Sequence, residues 1–290
     1  MSAFDLDDTR RKNMIINRIC ISINNRCNLS CKYCHFHEKS DHIISSDMNV
    51  YSILDNVKTH IEKYDIPLFK IGFVGNGEPL LDYPKLKEYI IYIGDCLKNG
   101  VISAYTITNG LLIDENMLHF FREYNVNVGF SIDGIKEIHN KWRCNSFDTV
   151  LEKIELYHKI YGVYPSMNCT VGQDVLDKAD ETIAFFKQFG SRITFSRMIG
   201  TNAISMEDFK KFIEKASKYL DIRTGGYDCT MYGGKCGAGI NNLYYANGNV
   251  YICGNCVDLP TEFAAETPID EMNFNIQPFD RQFCYKEGLK

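Results

Sequence analysis

Short apolar runs alternate six times with longer amphipathic segments between residues 18 and 220, and this alternation leaves few folds open. Strands are expected at 18–23, 68–74, 101–108, 126–132, 164–171 and 192–195. Each is followed by a stretch of helical spacing, at 48–64, 84–93, 114–121, 147–161, 175–189 and 206–220. In the first of these, Val50, Ile53, Leu54, Val57 and Ile61 fall on one face. The run 68–74 (LFKIGFV) is nearly continuous in apolar residues, as in a strand buried on both faces. Gly190 supplies a helix stop, and Ser205 with Asp208 three residues on supplies a capping pair. Six β-then-α units imply parallel strands joined by right-handed crossovers. The fold class is α/β, either an open parallel sheet or a partial barrel, with chemistry at the C-terminal strand ends.

The pattern breaks after Leu220, where 223–226 (RTGG) reads as a linker. We place a boundary there, giving a core of residues 1–220 and a small C-terminal domain of residues 221–290. The latter holds five of the chain's twelve cysteines and a hairpin, 243–246 with 250–253, joined through Asn247-Gly248-Asn249. Eighteen Tyr and eighteen Phe argue against disorder, and a net charge of −5 disfavours nucleic acid as a partner. No run approaches a membrane span, and the polar N-terminus is no signal peptide, so the expected location is cytoplasmic. Twelve cysteines in such a chain are reduced thiols, serving as metal ligands, catalytic groups or small core residues.

Spacing separates these roles. Cys27, Cys31 and Cys34 stand within eight residues on a loop after the first strand, and can present three sulfurs to one metal centre. Thiolates suit iron–sulfur clusters or zinc, and His35 makes a Cys3His zinc site the competitor. In the C-terminal region, a hairpin brings its two ends together, so Cys236 and Cys253 can share a metal, with Cys229 within reach. The fourth ligand there is either Cys256 or Cys284. Cys20, Cys96 and Cys169 read as packing residues, while Cys144 is of interest because it adjoins Arg143.

The Cys-x3-Cys-x2-Cys loop, with Tyr33 just before its last cysteine, resembles that of the radical S-adenosylmethionine (SAM) superfamily. Gly75-Asn76-Gly77-Glu78-Pro79, Thr108-Asn109-Gly110, Ser131-Ile132-Asp133-Gly134 with Arg143, and Asn168 follow in the order and placement of that superfamily. The resemblance implies a partial (β/α)6 barrel. It also implies a [4Fe–4S] cluster on Cys27, Cys31 and Cys34 whose open iron chelates SAM. Reductive cleavage then yields methionine and a 5′-deoxyadenosyl radical that abstracts hydrogen from a substrate C–H bond. Tyr33, Gly77, Glu78, Asn109, Ser131, Arg143 and Asn168 would bind the cofactor: Glu78 its ammonium, Ser131 and Arg143 its ribose and carboxylate, Tyr33 its adenine side.

The C-terminal cysteines resemble a shortened SPASM/twitch extension. Five cysteines are too few for the two clusters of a full SPASM domain, so one auxiliary [4Fe–4S] cluster is expected on Cys229, Cys236, Cys253 and either Cys256 or Cys284. An unligated Cys256 or Cys284, or Cys144, is a candidate hydrogen donor, and Asp258 a candidate base. The branch suggests a ribosomally made peptide as substrate, modified by crosslinking, thioether formation, oxidation or epimerisation, with a flavodoxin- or ferredoxin-type electron donor. Only 17 residues precede the first strand, few for a leader-peptide-binding domain, which keeps an amino-sugar or aminocyclitol dehydrogenase as the alternative. A non-catalytic zinc-binding module is the remote one.

Overall fold

The computed structural model describes residues 15–34, 50–223, 236–257, 259 and 262–274. Its first six strands are β1 (Arg18–Ile21), β2 (Phe69–Phe73), β3 (Ile102–Thr108), β4 (Asn127–Ser131), β5 (Ser166–Val171) and β6 (Ile193–Arg197). Between them run α1 (Val50–Tyr64), α2 (Tyr83–Tyr92), α3 (Gly94–Lys98), α4 (Glu115–Glu123), α5 (Lys136–Trp142), α6 (Phe147–Tyr161), α7 (Gln173–Asp177) and α8 (Ala179–Lys187). The helix α9 (Met206–Ala216) follows β6. Neighbouring strands from β1 to β6 are parallel, as the alternation requires.

Local chemistry sets the ends of these elements. Asp114 caps α4 by accepting from the Met117 amide, and Ser205 caps α9 through the Asp208 amide. Gly162 ends α6 with φ of +74°, a conformation that favours glycine. The expected 175–189 helix is two, α7 and α8, broken at Lys178, whose ψ of 39° leaves the helical region. The 206–220 helix closes at Ala216. The helix α5 was not expected, since seven residues carry too little periodicity to register.

The strands alternate between two environments. On β3, Ile102, Ala104, Thr106 and Thr108 are buried while Ser103, Tyr105 and Ile107 are partly open. The buried set faces the helices; the open set lines a cavity of about 630 Å³ built from β2 to β6. The sheet therefore curls around a lumen, which is the partial barrel. The expectation that 68–74 is buried on both faces holds for Phe69, Ile71, Gly72 and Phe73 and fails at Lys70. Lys70 is half-buried and looks into the lumen, and Gly72 stands against the Tyr105 ring.

The C-terminal region continues the same sheet. The strand β7 (Asn242–Ala246) pairs in parallel with β1, placing Ile21 opposite Tyr245. It turns through Asn247 and Gly248, at φ of 56° and 83°, into antiparallel β8 (Asn249–Tyr251). A third strand, β9 (Glu262–Ala264), completes the order β6-β5-β4-β3-β2-β1-β7-β8-β9. Asn56 of α1 anchors this region, donating to the Ala265 carbonyl and accepting from the Ile269 amide. One apolar cluster runs from Ile19 and Phe73 through Tyr245 and Val250 to Ile269.

Candidate active site

The loop after β1 is fastened on two sides. On the β2 side, Glu78 N–H donates to the Arg26 carbonyl (2.7 Å), and Asn24 bridges by donating to the Glu78 carbonyl (3.0 Å) and accepting from the Arg26 amide (3.0 Å). Gly77 is required there, because a Cβ would lie 2.0 Å from the Arg26 carbonyl oxygen. Asn76 donates its amide to Ser22 Oγ and accepts from Tyr244 Oη of β7 (2.7 Å). On the α5 side, Lys32 N–H donates to the Trp142 carbonyl (3.0 Å) and Ser30 N–H to Cys144 Sγ (3.4 Å). Trp142 is itself held by Asp174, which accepts from its indole N–H at 2.7 Å. The cysteine loop is thus positioned by the ends of β2 and β4, the expected chemical end of the sheet.

Beneath it lies Asp133, 1% exposed, which the sequence offered only as part of the Ser131–Gly134 motif, with no role of its own. Asp133 accepts from Tyr33 Oη (2.5 Å) and from the Thr170 amide (2.9 Å), and pairs with Arg143 at 3.9 Å. The Arg143 guanidinium sits 6.0 Å from the Tyr33 ring centroid. Burial, ahead of its charged neighbours, holds the Tyr33 phenol well above its ordinary range, so it donates as a neutral hydroxyl. His139 was also missed. Its Nδ1 accepts from the Asp133 amide (3.2 Å), so the proton sits on Nε2, which faces Ser146 Oγ at 3.0 Å. Ser146 Oγ in turn donates to the Arg143 carbonyl at 2.7 Å. Burial and then the Arg143 charge push His139 down to about 3, so the ring is neutral throughout the physiological range. The sequence signals for this assembly were Tyr33 and Arg143, named as cofactor-binding, and a strand-end Asp followed by Gly134, which adopts φ of +73°.

Glu78 is 2% exposed and receives three donors: the Leu80 amide, Thr108 Oγ1 (2.7 Å) and the Asn109 amide (2.7 Å). Burial raises its pKa against those three. Asn109 turns its side-chain amide to Asn28 Oδ1 at 2.7 Å and towards Cys27 Sγ at 3.9 Å. Ser131 ends β4, half-buried, in register with Asn168 of β5, which lines the lumen. Tyr33, Asn109, Glu78 and Arg143 therefore surround the cysteine loop, while Ser131 and Asn168 face the space below it.

The donor set fits the group the sequence implies. Burial raises Cys27 and carries Cys31 to about 11, with Cys34 adding a like-charge contribution to both. Thiols that ligate a cationic centre give up their protons to it, so metal binding here releases protons. Cys27 Sγ already receives the Leu29 amide at 3.5 Å, a contact that suits a thiolate ligand. Among the described residues no three His, Cys, Asp or Glu side chains stand at the spacing of a single ion. A four-iron cluster places its thiolates on different irons and takes them farther apart. Arg143 Nε is buried with no partner among the described residues, as a guanidinium awaiting an anionic ligand would be.

Of the C-terminal candidates, Cys253 and Cys256 share one 3-10 turn, with the Cys256 amide donating to the Cys253 carbonyl at 2.9 Å. Cys256 is 1% exposed, and Cys236 is half-buried against the main apolar cluster. Cys253 is near enough to Cys20 to help raise its pKa, after burial. Cys144 is exposed, at φ of +56°. Cys229, Cys284, Asp258 and His35 lie outside the described residues.

A loop of three thiols over a buried Arg–Asp–Tyr assembly, at the strand ends of a partial barrel, suits a metal cluster beside a ligand that carries a carboxylate. Residues 21–186, more than half of the chain, match the model of the radical SAM superfamily, and the chain belongs to that superfamily. It is an enzyme that uses SAM and a [4Fe–4S] cluster. An uncharacterised protein of Methanocaldococcus jannaschii, MJ0907, is 26% identical over 81% of this chain and 84% of its own length. A cysteine-type anaerobic sulfatase-maturating enzyme of Clostridium perfringens is 32% identical over 56% of this chain and 46% of its own. The chain thus spans less than half the length of that relative. The structure of anSMEcpe with bound AdoMet and the Cp18Cys peptide matches with a TM-score of 0.70 over 89% of this chain and 81% of that one, at 24% identity. That likeness establishes the shared fold. Among the described residues no helix is long and apolar enough to cross a membrane.

Proposed function

We propose that this chain is a peptide-modifying radical SAM enzyme: Cys27, Cys31 and Cys34 hold the cluster, and a substrate in the lumen loses a hydrogen atom. The observation that supports this most is the gathering of the cysteine loop and the Arg143–Asp133–Tyr33 assembly at the C-terminal strand ends of a sheet whose inner face lines a cavity. With cluster and SAM bound, the cofactor pair supplies the hydrogen-abstracting radical, and the protein orients substrate and excludes water. Arg143, with its free Nε, takes the carboxylate of SAM; Asp133 fixes Arg143 and Tyr33 around it. Asn109 and the Leu29 amide donate towards Cys27 sulfur and tune the cluster. Glu78 spends its oxygens on the strand-end amides and shapes the loop that faces the SAM ammonium.

The C-terminal region carries one auxiliary cluster, on Cys229, Cys236, Cys253 and a fourth cysteine. The burial of Cys256 favours it as ligand over hydrogen donor, since a donor must reach substrate. A peptide substrate draws its support from the sulfatase-maturating relative and from anSMEcpe, whose structure holds a peptide. The electron comes from a flavodoxin- or ferredoxin-type protein.

Anaerobically reconstituted protein should hold about eight iron and eight sulfide per chain, as two four-iron clusters require. Dithionite and SAM should then release 5′-deoxyadenosine, and Cys31→Ala should abolish that release while leaving about four iron. Zinc without iron, or an active Cys31→Ala, overturns the assignment. A core peptide that shows no SAM-dependent mass change, while an amino sugar loses two hydrogens, sinks the peptide reading.

A further inference from the structure

The hairpin of the C-terminal region reaches the core cluster loop through a relay of side chains. Tyr244 Oη of β7 donates to Asn76 Oδ1 (2.7 Å), Asn76 Nδ2 donates to Asn25 Oδ1 (3.1 Å), and Asn25 Nδ2 donates to Asn247 Oδ1 (2.7 Å). The relay leaves the hairpin at Tyr244 and returns to it at Asn247, in the turn between β7 and β8. On the way it crosses both loops that frame the site. Asn76 follows β2, two residues before Glu78, and Asn25 follows β1, two residues before Cys27. The backbone adds a bond between the same regions, from the Ser22 amide to the Tyr245 carbonyl (2.8 Å). Asn76 is fixed a second time, its amide donating to Ser22 Oγ (3.1 Å). The two contacts with the hairpin join residues 168 and 222 positions apart, so neither is a local feature of a turn. The ring of Tyr244 lies on the Cys253 turn. A Cβ at Gly254 would meet it at 2.9 Å, so the ring packs against backbone one residue after Cys253.

Loops that must hold an iron cluster in one geometry gain from being tied to a rigid element. Hydrogen bonds in series, with each asparagine both donating and accepting, polarise one another and weaken together. Tyr244 stands where this relay meets the Cys253 turn, and β8 runs from the hairpin turn almost directly to that cysteine. We infer that Tyr244 is a positioning residue for the core cluster: with Asn247 it holds the loops after β1 and β2, and it carries the state of the Cys253 turn to the Cys27 loop. This rests on the reading of Cys27, Cys31 and Cys34 as ligands of the SAM cluster and of Cys253 as an auxiliary ligand. A filled auxiliary site fixes Cys253, and through the Tyr244 ring and hydroxyl it fixes Asn76 and Asn25 as well. An empty one frees the turn, and the core loop loosens with it. The enzyme then binds SAM at full affinity only when both clusters are in place.

The test compares reconstituted holoenzymes by amide hydrogen exchange and by equilibrium dialysis of SAM. Tyr244→Phe keeps the ring on Gly254 and removes only the hydroxyl. Segments 22–30 and 74–80 should exchange about twofold to tenfold faster, the range of one net hydrogen bond, with the rest of the sheet unchanged. SAM should bind about twofold to tenfold more weakly at unchanged iron content. Asn247→Gly suits the turn's φ of 56° and breaks the other end of the relay, and it should loosen segment 22–30. Tyr92→Phe loses a comparable bond, to Asp55 between α1 and α2, and should match the wild type in both segments. Cys253→Ala should loosen the same two segments, and should add little to Tyr244→Phe, because the relay is already broken. Wild-type exchange and SAM affinity in Tyr244→Phe overturn the inference, and so do losses from Tyr244→Phe and Cys253→Ala that add. Exchange that rises across the whole sheet makes Tyr244 a packing residue and overturns it too. A Cys253→Ala protein that keeps all its iron refutes the auxiliary ligand, and the exchange of Tyr244→Phe still decides the positioning.

Discussion

Asp133 and Glu78 at the loop end, and Lys70 on the floor of the lumen, are all buried or half-buried ionic groups, yet they are treated differently. Asp133 has two hydrogen-bond donors and an arginine, and Glu78 has three donors. Lys70 meets only other cations in its charged surroundings. The loop end is pre-organised, with its polar groups already satisfied by the chain, as a site that must hold a cofactor in one geometry requires. The floor gathers charges of one sign, Lys70 beside Arg18 and Arg223. Breaking the first should cost stability; removing a charge from the second should not.

The largest stability effect expected is at the loop end and is a pH effect. His139 has an ordinary value of 6.5 and is pushed down to about 3 in the fold, by burial first. Between those values the unfolded chain binds a proton the folded chain does not, so stability is full above pH 6.5 and declines as pH falls towards 3. At about 1.4 kcal/mol per pH unit, the whole window is worth at most about 5 kcal/mol. His139→Asn keeps an acceptor for the Asp133 amide and cannot titrate. Urea unfolding of both proteins at pH 7 and pH 4.5 should show the wild type losing more stability than the variant. Parallel losses would remove His139 from the acid response.

That residue also shows what was legible in the sequence. The six strands were found because an apolar run signals itself within a few residues, and the cysteine loop because three thiols in eight residues have few other uses. Asp133 stood out only within the strand-end Ser131–Gly134 motif, because its role depends on Tyr33 and Thr170, 100 and 37 positions away. His139 gave no signal, because one histidine in a short helix has no pattern to register, although its partners Asp133 and Ser146 are six and seven positions away. Lys70 was hidden inside an apolar run, since β2 shows its inner face only at Lys70 and Gly72. The parallel pairing of β7 with β1, more than 200 residues apart, likewise leaves no local trace. Local periodicity carries the elements, and long-range register carries the site.

The second test removes the anion of the loop-end assembly. Asp133→Ala leaves Arg143, with its side chain 11% exposed, without its carboxylate, and a broken buried pair costs roughly 3–5 kcal/mol. Asp133→Asn should cost less, because its carbonyl oxygen still accepts from the Thr170 amide and its NH2 can donate to the neutral Tyr33 hydroxyl. Chemical denaturation of both variants orders them, and an alanine variant as stable as the asparagine one would mean that Arg143 finds another partner. The floor has no counterpart to this loss, which is the asymmetry between the two ends in its simplest form.

The smallest effect separates the two regions with one substitution made twice. At Gly77 an added methyl meets a backbone atom, the Arg26 carbonyl oxygen, at 2.0 Å, and that oxygen already accepts from the Glu78 amide. Neither can move without loosening the loop that carries Cys27. Gly77→Ala should cost about 1–3 kcal/mol, as overpacking does, and lower iron retention with it. At Gly72 the added methyl meets the Tyr105 ring at 2.4 Å, near the far end of a side chain that borders open lumen. The ring can swing away, and its contacts to Arg18 Nη2 and Cys20 Sγ, at 3.5 and 3.4 Å, are weak ones. Gly72→Ala should therefore cost less than about 1 kcal/mol and retain its iron. Equal losses of stability at the two glycines would show the lumen to be as tightly organised as the loop end, and the contrast between them would fail.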